Sequence, residues 1–263
     1  LARITPPIAL GPLDGRYRAA VAPLVDHLSE AALNRARLVV EIEWLIHLTD
    51  RGALPGAPVL TQEEKDYLRG IVESFGADEV AELADIEAET RHDVKAIEYF
   101  LKRRLDAAPA VLGDSTHLPQ MHEIVHIFCT SEDINNLSYA LCVRGAVREV
   151  WVPAAVDLLM SIEGIARDQA STPMLARTHG QPATPVTLGK EFAVTARRLS
   201  RQLRRIDAVQ RRDDRRMARQ RRIERCRQRL REQMLHRPAG CQLLWLGADI
   251  LAVARDRRLQ IRL

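Results

Sequence analysis

The chain has 263 residues, of which 46% are hydrophobic and 4% aromatic, and its formal net charge is +4. This composition can supply a sizeable core, so we expect a folded, soluble protein. No run of about 18 or more apolar residues and no signal-peptide pattern occurs, so we expect a cytoplasmic protein that does not enter a membrane.

The basic charge is concentrated at one end of the chain. Residues 211–263 hold 16 arginines and six acidic residues, whereas the first 210 residues hold 23 basic and 29 acidic residues. The body therefore lacks the basic stripe of a nucleic-acid-binding domain, and we expect no nucleic-acid partner for it. The four cysteines have neither CxxC spacing nor histidine partners, which predicts reduced thiols without a metal site or disulfides: Cys129, Cys142, Cys226 and Cys241.

Apolar residues recur at intervals of three and four in several segments, which predicts amphipathic helices. In chain order these residues are Leu38, Ile42 and Leu45, then Val94, Ile97, Leu101 and Leu105, then Leu188, Phe192, Thr195, Leu199, Leu203 and Ile206. Longer helices are predicted over 131–169, with a kink at Pro153, and over 185–209. We find no alternating run with hairpin turns, so the predicted class is all-α, and long helices with few aromatic residues indicate a bundle.

Two polar segments, one at a predicted turn and one at a predicted helix start, admit either a structural or a functional interpretation. "PLDGRY", residues 12–17, places Arg16 and Tyr17 after a tight turn, as a surface turn or as a guanidinium site for phosphate. In "CTSEDINN", Thr130 or Ser131 precedes two acids at a helix N-terminus. Capping explains this pattern, and the free backbone N–H groups there could also bind a carboxylate or phosphate.

A third polar segment is "ETRHDVK", where His92 and Asp93 stand at the predicted start of a helix. Capping by Thr90 or Asp93, with His92 on the surface, is the structural interpretation. It accounts for Asp93 better than for His92, so a functional role for the histidine stays open.

His179 in "RTHGQPATP" lies on a loop bounded by Gly and Pro, ahead of a long helix and away from any apolar stripe. A role in the core therefore explains it poorly, and loops on rigid scaffolds often carry function. Because histidine titrates near neutrality, His179 could donate or accept a proton. Thr178 and Gln181 beside it could orient the imidazole or bind a substrate carboxylate.

Together, "PLDGRY", "HDVKAIEYFLK", "CTSEDINNLS" and "RTHGQPATPVTLGKEF", in this order and at these separations, resemble the adenylosuccinate lyase family of the fumarase/aspartase superfamily. The resemblance covers roughly residues 10–210. It implies an N-terminal helical domain over 1–118 and the first long helices of an incomplete central helical bundle over 119–210. It also implies a homotetramer that pools bundle helices from four subunits and builds each active site from three of them.

The reaction implied by the resemblance is that of a carbon–nitrogen lyase in purine nucleotide biosynthesis. It releases fumarate by β-elimination from adenylosuccinate, giving AMP, and from the analogous succinyl-aminoimidazole-carboxamide ribotide. A base removes the proton beside a carboxylate, an aci-carboxylate carbanion forms, and an acid protonates the departing nitrogen. The family needs no metal and no organic cofactor for this step.

The resemblance also assigns roles to individual residues. It makes His179 the general acid and His92 a catalytic assistant. The implied substrate-binding residues are Arg16 and Tyr17 for the phosphate, Arg91, His92 and Asp93 in the substrate site, Thr130 and Ser131 for the succinyl portion, and Thr178 and Gln181 beside the acid. Arg91 departs from the family, which often has asparagine there.

Part of the family pattern has no counterpart in this sequence. The family's general base is a serine on a loop of the form Ser-Ser-x-Met-Pro-x-Lys-x-Asn-Pro, and no such stretch occurs here. We therefore expect this chain by itself to be an inactive fragment of the lyase, with exposed apolar stripes that favour aggregation.

Residues 211–263 do not resemble the family and admit three interpretations. They could extend the preceding helix, form a basic arm that binds RNA, or be an out-of-frame translation of a GC-rich message. Two alternative functions follow. One is a non-catalytic helical protein with an Arg-rich RNA-binding arm, and the other is a sister lyase of the same superfamily with another succinyl substrate.

Overall fold

The computed structural model describes residues 6–209 and Arg212, and this part of the chain is helical apart from one two-stranded sheet. The predicted all-α class is thus confirmed, with the sheet as a local exception. The chain divides into two compact units, before and after the link between Leu158 and Leu159. The predicted boundaries at 118/119 and 210/211 stay predictions.

The α-helices, in chain order, are α1 (Arg18–Val21), α2 (Val25–Leu28), α3 (Glu30–Asp50), α4 (Gln62–Glu73), α5 (Ala77–Thr90), α6 (Asp93–Ala107), α7 (Pro109–Leu112), α8 (Ser131–Gly145), α9 (Val152–Asp168) and α10 (188–209). The strands are β1 (Pro173–Thr178) and β2 (Gln181–Thr187). Short 3₁₀ helices occupy Pro6–Ile8, Pro12–Asp14, Ala22–Leu24 and Leu118–Ile124, and a π-helix occupies Ala146–Trp151.

The core of the first unit forms around α3 and α6. Helix α3 starts after Ser29, whose hydroxyl accepts a hydrogen bond from the Ala32 backbone N–H at 3.2 Å. The two predicted apolar stripes are buried here, since Leu38, Ile42, Leu45, Val94, Ile97, Leu101 and Leu105 are each at most 1% exposed. Complete burial of such side chains contributes about 1.5–3 kcal/mol each. The predicted helices and their inner faces are therefore confirmed.

The long helix predicted over 131–169 is present as α8, the π-helix and α9 in direct succession. Pro153 cannot donate a backbone hydrogen bond, and in a regular α-helix its ring crowds the carbonyl of Glu149. The wider π turn lies immediately before this position and relieves that crowding. The irregularity predicted at Pro153 therefore begins about two turns earlier.

The second unit contains a hairpin that the sequence patterns did not predict. Strands β1 and β2 pair antiparallel, with Leu175 opposite Pro185 and Arg177 opposite Pro182. The expectation that no hairpin occurs is wrong, and so is the predicted helix start at 185, because α10 begins at 188. Two prolines argue against a central strand, but a two-stranded ribbon has only edge strands, where proline costs no ladder hydrogen bond.

The hairpin leaves the end of α9 and returns to the same place. The Gly189 N–H donates to the Gln169 carbonyl at 2.9 Å, and the Leu188 N–H donates to the Thr172 carbonyl at 2.9 Å. A Cβ atom on Gly189 would lie 2.4 Å from the Ala166 carbonyl oxygen. Backbone therefore packs directly on backbone where α10 begins.

Several sequence predictions concern features outside the secondary structure. None of the helices in the described part has the length and apolar character needed to span a bilayer. Residues 6–209 and Arg212 hold no cluster of three His, Cys, Asp or Glu side chains arranged around a metal ion. Cys129 and Cys142 are free thiols. Cys226, Cys241 and the Arg-rich segment 211–263 lie outside the described residues, apart from Arg212.

Candidate active site

His179 lies at the tip of the hairpin, in the two-residue turn between β1 and β2. The turn residues have positive φ angles, 51° for His179 and 78° for Gly180, as a type I′ turn requires at both positions. Glycine meets this requirement freely, and histidine is among the few other residues enriched in the left-handed region. Thr178 and Gln181 form the last residue pair of the ladder, and all four residues are exposed. The three predicted site residues of the second unit are thus side by side.

His92 caps helix α6 with its own side chain. Its Nδ1 accepts a hydrogen bond from the Lys95 N–H at 3.2 Å, and its backbone is extended, as at other N-caps. The structural interpretation in which Thr90 or Asp93 caps this helix is therefore wrong, because His92 itself is the cap residue. The Thr90 hydroxyl instead donates to the His92 carbonyl at 3.2 Å. Since Nδ1 is the acceptor, the neutral ring carries its proton on Nε2, and the half-exposed side chain can present that N–H to a ligand.

Arg91 ends helix α5 in the left-handed conformation, with φ at 53°. Its N–H closes the helix by donating to the Glu87 carbonyl at 2.7 Å. This C-terminal position favours glycine and asparagine, because other side chains are strained there. The backbone at this position therefore suits glycine or asparagine better than arginine.

Asp93, the first residue of α6, is bound by a buried arginine from α3. The Arg37 Nη2 donates to the Asp93 Oδ2 at 2.5 Å, and the Arg37 Nε donates to the Asn135 Oδ1 on α8 at 2.9 Å. Burial by itself would raise the pKa of the Asp93 carboxyl, but the Val94 backbone N–H and the Arg37 guanidinium outweigh it and lower that pKa. Asp93 is therefore held as a carboxylate.

Thr130 and Ser131 mark the start of α8, as the acids after them predicted. Ser131 is the first helical residue, and the Thr130 N–H donates to the Asp133 Oδ2 at 2.9 Å. Burial, together with the charges of Glu41 and Asp133, raises the pKa of the neighbouring Cys129 thiol to about 11. The thiol beside this helix start is therefore protonated at neutral pH.

Arg16 and Tyr17 follow a turn that is fixed by Asp14. The Asp14 carboxylate accepts hydrogen bonds from the Leu10 N–H at 2.6 Å, from the Gly11 N–H at 2.8 Å and from Arg18 at 2.5 Å. Both predicted site residues are exposed, with Tyr17 at 56%. The predicted tight turn is present, and the Asp14 hydrogen bonds fix the backbone that carries the exposed Arg16 and Tyr17 side chains.

Sequence reasoning missed four residues of α3 that hold these segments. We call Asn34, Arg37, Glu41 and Trp44 the polar stripe of α3. The Glu41 Oε1 lies 2.6 Å from the His126 Nδ1, and the Trp44 Nε1 donates to the Ile127 carbonyl at 2.8 Å. These last two contacts fix the segment that leads to Thr130.

A signal for the polar stripe was present in the sequence. Its residues follow each other at intervals of three, four and three, the same spacing that revealed the apolar stripe beside them. Asn34, Arg37 and Glu41 are at most 7% exposed, although a polar helix face normally meets solvent. Burial raises the pKa of the Glu41 carboxyl, and the hydrogen bond and charge of His126 oppose that rise only in part.

Comparisons with known proteins agree with the predicted resemblance. The profile of a family described as Lyase matches residues 15–218. Adenylosuccinate lyase of Escherichia coli (strain K12) is 41% identical to the chain over 205 residues, covering 77% of this chain and 43% of that protein. Adenylosuccinate lyase of Haemophilus influenzae (strain ATCC 51907 / DSM 11121 / KW20 / Rd) is 41% identical over 198 residues, covering 75% and 42%. The chain thus spans less than half the length of these relatives.

Solved structures share the fold over most of the chain. Fumarate lyase from Mesorhizobium sp. BNC1 gives a TM-score of 0.55 at 17% identity, covering 71% of this chain and 39% of that chain. Beta-carboxy-cis,cis-muconate cycloisomerase from Acinetobacter calcoaceticus sp. ADP1 gives 0.54 at 20% identity, covering 74% and 42%. Since the family profile matches well over half of the sequence, the resemblance is confirmed, and the chain belongs to the lyase family, with adenylosuccinate lyases among its relatives.

Proposed function

We propose that this chain supplies the acid side of an active site that releases fumarate from adenylosuccinate by β-elimination. The observation that carries the proposal is the hairpin turn, which presents the exposed His179 between Thr178 and Gln181 in a chain whose relatives are adenylosuccinate lyases. Two-residue turns have little conformational freedom, so the imidazole starts from a fixed backbone. Such preorganisation is what general acid catalysis requires.

The proposed step conserves protons and electrons. A base removes the proton beside one succinyl carboxylate, and the electron pair is held in the aci-carboxylate form. The carbon–nitrogen bond then breaks, its electrons pass to nitrogen, and His179 donates a proton to that nitrogen, which leaves fumarate and AMP. His92, whose Nδ1 accepts the Lys95 N–H and whose Nε2 is left to donate, assists by hydrogen bonding to the substrate.

The remaining predicted residues suit the ionic groups of the substrate. The exposed Arg16 guanidinium and the Tyr17 hydroxyl bind the nucleotide phosphate. The start of α8, with Thr130 and Ser131, binds a succinyl carboxylate through hydroxyl and backbone donors. Arg91, Asp93, Thr178 and Gln181 complete the substrate contacts. We propose that the same contacts accept the succinyl-aminoimidazole-carboxamide ribotide and that the enzyme acts in purine nucleotide biosynthesis in the cytoplasm.

The whole enzyme is proposed to be a homotetramer. Large apolar side chains remain exposed along α8, with Leu137 at 57% and Val143 at 56%, and along α9, with Met160 at 55%. Exposed apolar stripes on long helices are typical of surfaces that pack against other subunits. We propose that the general base is the serine of a loop that this sequence does not contain.

The test therefore pairs the chain with a relative that contains such a loop. Escherichia coli adenylosuccinate lyase, with its own loop histidine replaced by glutamine, is co-expressed with this chain, and hybrid tetramers are purified through a tag on the chain. Fumarate release from adenylosuccinate is expected with the unchanged chain, and His179→Gln should lower it about 100-fold or more. The control His122→Gln, at another partly exposed histidine, should leave the rate unchanged.

Two results would contradict the proposal. One is equal fumarate release from hybrids with and without His179, and the other is purified hybrids that release none. The same hybrids are assayed with argininosuccinate, malate and aspartate. Faster turnover of one of these would indicate a sister lyase with another substrate.

A further inference from the structure

We propose that Arg37 is a positioning residue, which fixes the N-terminus of α6 relative to the N-terminus of α8. These two helix starts carry His92 and Asp93 on one side, and Thr130 and Ser131 on the other. The functional meaning of this inference rests on the proposed lyase function, whereas the mechanical link is independent of it. Arg37 touches no reacting group and acts through the residues it binds.

The link consists of three hydrogen bonds from one guanidinium. The Arg37 Nη2 donates to Asp93 on α6, the Nε donates to Asn135 on α8 at 2.9 Å, and the Nη1 donates to Asn34 on α3 at 2.9 Å. Because the guanidinium is planar and its donors are rigidly arranged, three partners fix its position. The guanidinium in turn fixes the positions of the three partners relative to one another. Asn34 holds the group from its own helix, so the other two bonds connect separate helices.

Arg37 and Asp93 differ strongly in their exposure to solvent. The Arg37 side chain is 5% exposed, whereas the Asp93 side chain is 45% exposed. The arginine therefore reaches from the packed interior to a carboxylate at the edge of the proposed site. A buried charge is costly unless it is fully paired, so the geometry of its partners cannot relax freely.

Apolar packing alone would not fix the same geometry. Val40, Val94 and Ile134 form a small buried cluster where α3, α6 and α8 meet. Apolar burial attracts these helices but is not directional, so small sliding or rotation costs little. Hydrogen bonds depend on distance and angle, and those of Arg37 select one register among the packed alternatives.

The two helix starts are close to the bonds that Arg37 makes. Asp93 directly follows the cap residue His92, and Asn135 lies about one turn after Ser131. Loss of Arg37 would therefore let the substrate contacts of α6 shift relative to those of α8. Such a shift weakens substrate binding, because each contact depends on its distance and angle.

The mechanical link is tested in the full chain by hydrogen exchange. The Ile134 amide donates to the Thr130 carbonyl, so its exchange reports opening of the first turn of α8. Asp93→Asn, a change on α6, should speed that exchange about fivefold, because Arg37 then restrains Asn135 less firmly. In an Arg37→Met background the same Asp93→Asn change should have no further effect.

The control for general destabilisation is Thr116→Val, which removes a hydrogen bond to Glu64 elsewhere in the same unit and should leave Ile134 exchange unchanged. The inference is overturned if Asp93→Asn does not alter Ile134 exchange, or if its effect persists without Arg37. If Arg37→Met does not fold, Arg37→Lys takes its place, since lysine keeps the charge but cannot bind three partners in one plane.

A second measurement separates this inference from the lyase proposal. In the hybrid enzyme described above, Arg37→Lys should raise KM for adenylosuccinate about tenfold with a smaller change in kcat, because binding groups are displaced while His179 is intact. An unchanged KM despite a broken mechanical link would overturn the positioning role and leave the lyase proposal standing. Hybrids that release no fumarate with Arg37 intact would refute the lyase proposal, and the exchange experiment would still decide the link.

Discussion

Replacement of Gly189 by alanine tests the close contact on which the hairpin depends. The new Cβ would lie 2.4 Å from the Ala166 carbonyl oxygen and 2.7 Å from the Ala170 backbone. Ordinary contact of such atoms requires about 3.5 Å, so the start of α10 must move away from the end of α9 by about 1 Å. Overpacking of this kind costs about 1–3 kcal/mol, and the strained hydrogen bond to Gln169 adds about 1 kcal/mol. Alanine recovers at most about 1 kcal/mol through helix propensity.

The expected result is a loss of about 2 kcal/mol in the free energy of unfolding, measured by urea denaturation with far-UV circular dichroism. With a urea slope of about 2 kcal/mol per M, the midpoint should fall by about 1 M. Gly164→Ala is the matched control, because Gly164 lies within α9 and an added Cβ would meet no atom within 4 Å. That variant should be more stable by about 0.5–1 kcal/mol.

Opposite signs for these two glycine substitutions are the essential result. If Gly189→Ala were as stable as the unchanged chain, or matched Gly164→Ala, the backbone contact at the base of the hairpin would not exist as described. A shifted hairpin should also move His179, so the NMR signal of the His179 ring should change in Gly189→Ala and stay in place in Gly164→Ala.

Three further predictions concern other parts of the chain. Gly145→Ala would place a Cβ 2.5 Å from the His27 ring and should cost about 1–3 kcal/mol by thermal unfolding, whereas Gly70→Ala, with open space around it, should be neutral or stabilising. Arg91→Asn should stabilise the chain by about 0.5–1 kcal/mol in urea, because asparagine tolerates the left-handed backbone; a loss of stability would contradict the strain assigned to Arg91. Cys129, with its pKa raised to about 11, should react with iodoacetamide at pH 8 about 100-fold more slowly than an ordinary thiol. The rate is measured by mass spectrometry of the modified peptide, and rapid modification would refute the burial of Cys129.

The sequence patterns predicted the first unit well because its helices obey one dominant rule. Leu38, Ile42 and Leu45 recur at helical spacing, and burial of that spacing is what forms α3. The polar stripe on the same helix could not be predicted to be buried. Its residues have helical spacing, but polar side chains at that spacing normally indicate a face exposed to solvent. Arg37 in particular has a meaning only once Asp93 and Asn135, distant in sequence, are brought to it.

The hairpin around His179 shows a different limit of sequence reasoning. A two-residue His-Gly turn is a weaker signal than Asn-Gly, and the prolines at 182 and 185 speak against a strand by propensity. Pairing across the turn overrides that propensity, because the proline nitrogens need no partner on the outer edge. The same segment is nevertheless recognisable as a candidate site from its sequence, since its lone histidine fits no apolar stripe.

The prolines of β2 also have a consequence for the behaviour of the chain at high concentration. A bare strand edge offers free N–H and carbonyl groups, and these recruit strands from other molecules into growing β-aggregates. Pro182 and Pro185 remove two of the N–H groups and obstruct the approach of an added strand. The outer edge of β2 is thus protected against pairing with an added strand, while His179 stays exposed at the turn.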